Sequence, residues 1–164
     1  MPKRSRIIGK QAGNDQNMLY LGRYNNSIDA KGRLVIPAKF REKLCEGGDS
    51  FVICRGLENN LYVFSREEFE EFAESLMNPE QPDPNAWQRR QFFMLGAVEV
   101  EPDKQGRILL GEDLIRFAGI EKDVVVAGNG RHIEIWSKER FPDAASFGDI
   151  GTLSAGLAEF GLKL

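Results

Sequence analysis

The sequence predicts an α+β protein in which two copies of one unit interleave their hairpins into a pseudo-twofold β-barrel with short flanking helices. The first observation is a repeated turn, because Asp29-Ala-Lys-Gly-Arg33 returns 74 positions later as Asp103-Lys-Gln-Gly-Arg107. The second is that strand-like and helix-start patterns follow both copies in the same order. The third is size, since a unit of about 45 residues is too short to bury a stable core alone.

The similarity continues beyond the turn. Residues 61–69 read LYVFSREEF and residues 133–141 read IEIWSKERF, a spacing of 72. At that spacing we also align Phe51-Val-Ile-Cys54 with Asp123-Val-Val-Val126. A longer loop at residues 45–50 explains the change from 74 to 72. The chain therefore contains an internal duplication.

Five segments follow from this pattern. Residues 1–18 are polar and aperiodic, so we expect a flexible arm, of which residues 1–17 can be deleted without loss of folding or assembly, with Met18 as an alternative start. The next segments are a first repeat, a helical connection with a proline-rich linker, a second repeat and a loosely ordered tail with room for a short helix. They span residues 19–67, 68–95, 96–141 and 142–164.

The first unit begins with a strand over residues 19–28, and Leu34-Val-Ile36 continues after the turn. Pro37 suits the first position of a short helix over residues 37–44, because its missing N–H costs nothing there. Two further strands are expected over residues 51–55 and 60–64.

A capping box marks the next helix start. Ser65 can cap this helix with Glu68 three residues later, and Phe64 and Phe69 form a hydrophobic staple. Helical spacing continues from Phe69 through Phe72, Ala73 and Leu76. The prolines of residues 78–84 end this helix. Asn85 can cap another over residues 86–95, whose apolar side we assign to the core or to a subunit interface.

The second unit repeats the plan. Strands are expected over residues 97–101, 108–110, 124–127 and 132–136, with a short helix over residues 112–118. Ser137 is again a candidate helix cap, with Trp136 and Phe141 as its staple.

The turn itself suggests two roles. The Asp can accept backbone N–H bonds, and Gly32 or Gly106 permits a positive φ. Arg33 and Arg107 then open a strand close enough to pair with Asp29 and Asp103. One interpretation is therefore a structural ion pair that closes the turn.

The surroundings favour DNA contact for the first copy. The candidate DNA-binding residues there are Lys31, Arg33, Lys39, Arg41 and Lys43. Such a cluster supplies phosphate contacts, and Arg forks can reach guanine edges. Around the second copy three acidic residues match the three basic ones, so Arg107 has a more structural setting, although it remains a candidate contact.

The total charge hides this distribution. A net charge of −3 argues against a generic nucleic-acid binder. However, residues 20–44 carry six basic residues against two acidic ones, and residues 58–80 carry seven Glu against one Arg. The chain therefore has a basic front and an acidic middle.

Other classes of function have little support. Two cysteines suit a reducing cytosol, and no apolar run reaches the ~18 residues of a membrane helix. Neither metal-ligand spacing nor a phosphate-binding loop with its lysine is present. Cys54 and His132 could pair as nucleophile and base, but nothing supplies a third member. We therefore expect no enzyme, cofactor, metal or small-molecule substrate, and a scaffolding oligomer remains the alternative to a DNA binder.

The sequence resembles the MraZ family. The resemblance is carried by Leu21-Gly-Arg-Tyr24, residues 29–37, Phe40-Arg41, Arg55-Gly-Leu57, Ala97-Val-Glu99 and residues 103–107. It implies two AbrB-like swapped-hairpin units and a homo-oligomeric ring that binds direct repeats in promoter DNA of the division and cell-wall gene cluster. It also implies a regulator in the cytoplasm and nucleoid, whose DNA-contacting turn falls on Lys31 and Arg33.

Overall fold

The computed structural model describes residues 19–163, which form a mixed α+β fold with antiparallel strands, as expected. The expected arm at residues 1–18 lies outside the described residues. The described strands are β1 (Arg23–Ser27), β2 (Arg33–Val35), β3 (Phe51–Arg55), β4 (Leu61–Ser65), β5 (Val98–Val100), β6 (Arg107–Leu109), β7 (Asp123–Gly128) and β8 (Ile133–Ser137). The described helices are α1 (Ala38–Leu44), α2 (Arg66–Met77), α3 (Ala86–Leu95), α4 (Glu112–Ala118) and α5 (Ile150–Glu159), with a 3-10 turn at Ala144–Phe147.

The two units exchange strands. One sheet has the order β1-β7-β8-β4-β3-β5, and β2 pairs with β6 in a separate two-stranded ribbon. The first strand of each unit therefore pairs with the other unit, β1 with β7 and β5 with β3. If each strand is replaced by its equivalent in the other unit (β1 by β5, β3 by β7, β4 by β8), the same order is read from the opposite edge of the sheet. A pseudo-twofold axis therefore passes between β4 and β8.

A closed barrel is not confirmed. Within the described chain, the six-stranded sheet keeps β1 and β5 as its two edges, while the ribbon forms strand ladders only within itself. The physical reason is length, since β2 and β6 have three residues each and pair fully with one another. The result is a sheet with a ribbon packed over one face.

Alternation along β3 defines two hydrophobic cores. Phe51 and Ile53 join the first core, which also takes Leu34 from β2 and Ile108 from β6. The intervening Val52 and Cys54 join the second core with side chains of α2 and α3. Because successive strand residues point to opposite faces, the ribbon and these two helices lie on opposite sides of the sheet.

The capping box at the start of α2 is confirmed. The Ser65 hydroxyl accepts from the Glu68 N–H at 3.1 Å, and the Glu68 carboxylate accepts from the Ser65 N–H at 3.1 Å. The rings of Phe64 and Phe69 lie 5.9 Å apart, as the staple requires. This cap anchors the second core.

Two predicted caps are wrong. Ser137 begins only a turn, since its hydroxyl donates to Glu139 at 2.7 Å and Pro142 follows too soon for a helix. Trp136 and Phe141 still contact each other, with ring centroids 5.9 Å apart. Asn85 makes no side-chain cap; its N–H donates to the Asp83 carboxylate at 2.9 Å instead.

The alignment of the third strands also needs correction. Phe51 lies opposite Ser65 in the first unit, and Val124 lies opposite Ser137 in the second. The structural equivalent of Phe51 is therefore Val124 rather than Asp123. Short apolar strands are easily misaligned by one residue because their sequences are so alike, whereas in the fold the buried face of each strand sets its register.

The tail contains the short helix α5. The Asp149 carboxylate accepts from the Thr152 N–H at 3.1 Å and caps this helix.

Candidate nucleic-acid interface

Asp29 organises the first turn. Its Oδ1 accepts from the backbone N–H groups of Lys31 and Arg33, each at 2.9 Å. Its Oδ2 accepts from the Nε of Arg33 at 2.7 Å. The backbone closes the turn between Gly32 and Asp29 at 3.0 Å, and Gly32 has φ +81°. Each predicted element of this turn is therefore present.

The second turn has the same geometry. Asp103 Oδ1 accepts from Gln105 and Arg107 N–H groups at 2.9 Å, and Oδ2 accepts from the Arg107 Nε at 2.8 Å. Gly106 has φ +79°. The ion pair thus forms in both copies, so the local geometry does not distinguish a functional first turn from a structural second one.

These bonds change the acidity of both carboxyls. The backbone N–H of Arg33, followed by its side chain, lowers the pKa of Asp29 from 3.8 to about 2. The equivalent groups of Arg107 lower the pKa of Asp103. Both Asp residues are therefore ionised at neutral pH, and each holds the inner edge of its guanidinium.

The ribbon brings the two turns together. Arg33 lies opposite Leu109, and Arg107 lies opposite Val35. These four side chains share the outer face, because Leu34 and Ile108 between them are buried in the core. We call this surface the ribbon face: Arg33, Val35, Arg107 and Leu109. Its arginines are half-exposed, at 35% for Arg33 and 31% for Arg107.

Sequence reasoning missed Val35 and Leu109 as members of this face. The alternation after each turn could have indicated that they point outward, since Leu34 and Ile108 take the core positions. The pairing of β2 with β6 links residues 74 positions apart, and only the tertiary structure supplies it.

Close contacts between the turns fix the ribbon. The Gly32 carbonyl accepts from the Leu110 N–H at 2.9 Å, and the Gly106 carbonyl accepts from the Ile36 N–H at 3.0 Å. A Cβ on Gly32 would lie 2.9 Å from the Leu110 carbonyl oxygen. Glycine is therefore required by space as well as by positive φ.

The other predicted contact residues divide into two groups. Lys31 and Lys39 are exposed, and within residues 19–163 their side chains make no hydrogen bond or ion pair. Arg41 instead donates through Nη1 to the Ile36 carbonyl at 2.8 Å, beside Gly106. Lys43 donates to the Leu19 carbonyl and lies over the Tyr20 ring at 5.4 Å. Lys31 and Lys39 are thus free for an outside partner, whereas Arg41 and Lys43 are held by the protein.

The Glu-rich surface of α2 lies away from the ribbon face. Exposed Glu67, Glu70, Glu71 and Glu74 belong to α2, which covers the opposite side of the sheet. Arg66 pairs with Glu70 at 3.5 Å. Basic and acidic surfaces are therefore separated by the thickness of the sheet, and the net charge of −3 does not describe either one.

The candidate nucleophile pair is not assembled. Cys54 is fully buried among apolar side chains, and this burial raises the pKa of its thiol to about 12. The Nε2 of His132 lies 2.9 Å from the carboxylate of Glu134, which also accepts from Asn60, Asn129 and Trp136. Burial raises the pKa of Glu134, but these donors outweigh it and the net shift is downward. Sequence reasoning missed this buried network, in which His132 has a structural role.

Two kinds of feature are absent from residues 19–163. No group of three or more His, Cys, Asp or Glu side chains there could hold a metal ion. None of the helices described is both long enough and apolar enough to span a bilayer.

Comparisons with known proteins agree with the duplicated plan. The family model described as "MraZ protein, putative antitoxin-like" matches residues 19–90 and 93–146. The Transcriptional regulator MraZ of Lachnoclostridium phytofermentans is 42% identical over 145 residues, covering 88% of this chain and 99% of the relative.

Two further relatives with the same printed name give similar values. That of Thermoanaerobacter sp. (strain X514) is 44% identical over 132 residues, covering 80% of this chain and 90% of the relative. That of Acetivibrio thermocellus is 42% identical over 123 residues, covering 75% and 84%. With both repeats matched and identity above 40% over most of its length, this chain belongs to the MraZ family.

Proposed function

We propose that this chain is a transcriptional regulator that binds double-stranded promoter DNA through the ribbon face. The relatives are named as transcriptional regulators. The observation that carries the proposal is that Arg33 and Arg107, from two copies of one turn, share the outer face of a two-stranded ribbon. Exposed Lys31 and Lys104 stand beside them.

The dimensions of the ribbon suit the major groove. That groove is about 12 Å wide and admits a two-stranded β-ribbon. Each Asp holds only the Nε of its arginine. The two Nη groups therefore remain to donate to guanine O6 and N7, and the ion pair orients the fork before DNA arrives. Lys31, Lys39 and Lys104 would contact phosphates and position the ribbon.

An oligomer would strengthen this binding. Trp87 and Leu95, near the two ends of α3, are 61% and 72% exposed, and the edge strand β5 follows α3 in the chain. We propose that this apolar area joins subunits into a ring with several ribbon faces on one side. Such a ring would engage direct repeats in a promoter, including that of the division and cell-wall gene cluster, and gain affinity through effective concentration. The regulator would then act in the cytoplasm at the nucleoid.

Scaffolding without DNA binding is the second candidate. It is favoured by the ion pairs themselves, since each arginine already has a structural partner in its own turn. The two candidates predict different changes in DNA affinity when one of these arginines is removed.

Fluorescence anisotropy with duplex DNA from upstream of the protein's own gene tests the proposal. The logarithm of affinity should fall steeply with the logarithm of salt concentration. The reason is that Lys and Arg side chains release the counterions condensed on the DNA when they bind, and added salt opposes this release. Arg33→Ala and Arg107→Ala should each weaken binding by roughly 1–3 kcal/mol if each arginine reads a base.

Arg66→Ala is the matched control. Arg66 is also a surface arginine in ion pairs, at 3.0 Å from Glu99 and 3.5 Å from Glu70, but it lies on α2 across the sheet. The Arg66→Ala variant should bind DNA like the parent. Equal affinity of folded Arg33→Ala, Arg107→Ala and parent protein would contradict the proposal and favour the scaffold.

A further inference from the structure

The ribbon face carries two exposed apolar side chains that its charges do not explain. Val35 is 44% exposed and Leu109 is 60% exposed, and no residue of the described chain covers them. Burial in the core is not open to them, because Leu34 and Ile108 occupy the inward positions. Their position is therefore set by strand alternation, and their apolar character needs a separate reason.

Each apolar residue stands beside an arginine of the other repeat. Leu109 is directly opposite Arg33, and Val35 is directly opposite Arg107. Residues directly opposite in an antiparallel pair have Cβ atoms about 4.5–5.5 Å apart. The ribbon face thus contains two arginine–aliphatic pairs related by the pseudo-twofold axis.

Hydrogen bonds hold these pairs in place before any partner arrives. The Asn26 side chain donates to the Val35 carbonyl at 2.8 Å and ties β2 to β1. The turn-to-turn bonds at Gly32 and Gly106 fix both ends of the ribbon. A prearranged apolar side chain can discriminate between partners that differ by one methyl group.

We propose that Val35 and Leu109 are specificity-determining residues that contact the 5-methyl groups of thymines in the major groove. This inference rests on the proposed function and deepens it. Arginine reads guanine, and an aliphatic side chain is the apolar complement of the thymine methyl. Successive bases on a strand rise about 3.4 Å, so each pair would span a guanine and a thymine one or two steps apart.

Charge favours DNA over a second copy of this chain as the occupant. On the two turns themselves, Lys31, Arg33, Lys104 and Arg107 outnumber the Asp29 and Asp103 carboxylates. Two such faces would repel each other, whereas a polyanion would be attracted.

Thymine-to-deoxyuridine replacement tests the inference, because it removes only the methyl group. Three kinds of probe are used. The first is the upstream duplex, the second is the same duplex with deoxyuridine in place of all thymines of either strand, and the third carries deoxyuridine at a single thymine position. The parent should lose about fourfold in affinity for each contacted methyl. Val35→Ala and Leu109→Ala should each lose affinity for the thymine duplex and part of the preference over the replaced one, and only the double variant should bind the two duplexes alike.

The control is Leu57→Ala, which removes a still more exposed apolar side chain, at 70%, from the β3–β4 loop. It should keep the parent preference, and all three single variants should keep the parent melting temperature and salt slope. If the parent binds the promoter and depends on Arg33, but binds thymine and deoxyuridine duplexes equally, this inference alone is overturned. A parent that prefers no duplex over a scrambled one overturns the proposed function as well.

Discussion

The Nε of Arg33 donates to Oδ2 of Asp29 at 2.7 Å, and the second turn repeats this bond between Arg107 and Asp103 at 2.8 Å. The bond uses the Nε of each guanidinium and leaves its two Nη nitrogens without a hydrogen-bond partner among residues 19–163. One pair of residues can therefore both close a turn and aim an arginine. The structural and the DNA-binding interpretations of the motif are compatible for this reason.

The first prediction concerns acid stability. Because the folded pKa of Asp29 is about 2 against an ordinary 3.8, its ionised form stabilises the fold above about pH 4. That contribution is lost as the pH falls towards 2. Asp29→Asn, and likewise Asp103→Asn, should therefore melt below the parent at pH 7 and approach it near pH 2. Thermal unfolding followed by circular dichroism across this range measures the difference. A gap that stays constant from pH 7 to pH 2 would contradict the assignment.

A second prediction compares two serines at equivalent positions. Ser65→Ala removes a capping box and should cost about 1 kcal/mol of the free energy of unfolding, with faster amide exchange in the first turn of α2. Ser137→Ala should leave every helix unchanged, because Ser137 caps none. Urea unfolding and hydrogen exchange measure both effects. Loss of helical signal in Ser137→Ala would show that the second unit does form a helix there.

The strand exchange gives a third prediction. The partner of β1 is β7 and the partner of β5 is β3, so each half lacks strands that its own sheet needs. Residues 1–95 and residues 96–164, expressed separately, should not fold as monomers. Mixing or co-expressing them should restore a folded complex, as seen by dispersion of amide signals in NMR spectra. A half that is both monomeric by light scattering and folded would refute the shared core.

Assembly gives the fourth prediction. The parent should form a homo-oligomer larger than a dimer, and Trp87→Glu with Leu95→Glu should reduce it to smaller species while preserving the melting temperature. Both side chains are exposed, so their replacement disturbs no core contact. Leu57→Glu, at 70% exposure on another surface, is the control. Light scattering that gives about 18.5 kDa for the parent at micromolar concentration would contradict the ring.

Much of the fold could be read from local pattern. The repeated turn, the Ser65 capping box and the strand preferences depend on interactions within a few residues, and the structure has them in place. The errors at Ser137 and Asn85 also have local causes, since Pro142 cuts short one helix and Asp83 replaces the other cap.

The contacts of individual basic residues could not be predicted from local pattern. Lys31, Arg41 and Lys43 look alike as charges in a row, yet only Lys31 remains free. The acceptors that hold the other two are backbone carbonyls, which every residue possesses and no sequence pattern marks. Distinguishing these lysines and arginines therefore required the positions of Ile36 and Leu19.

The sequence by itself determined the duplication, the form of each Asp-Gly-Arg turn and the identity of the arginines, because these depend on short-range chemistry. Only the tertiary structure decided that β2 pairs with β6 and that Arg33, Val35, Arg107 and Leu109 form one surface. The physical reason is that strand pairing uses backbone hydrogen bonds common to all residues. The choice of partner is therefore made by the burial of Leu34 and Ile108 in a core that both repeats must share.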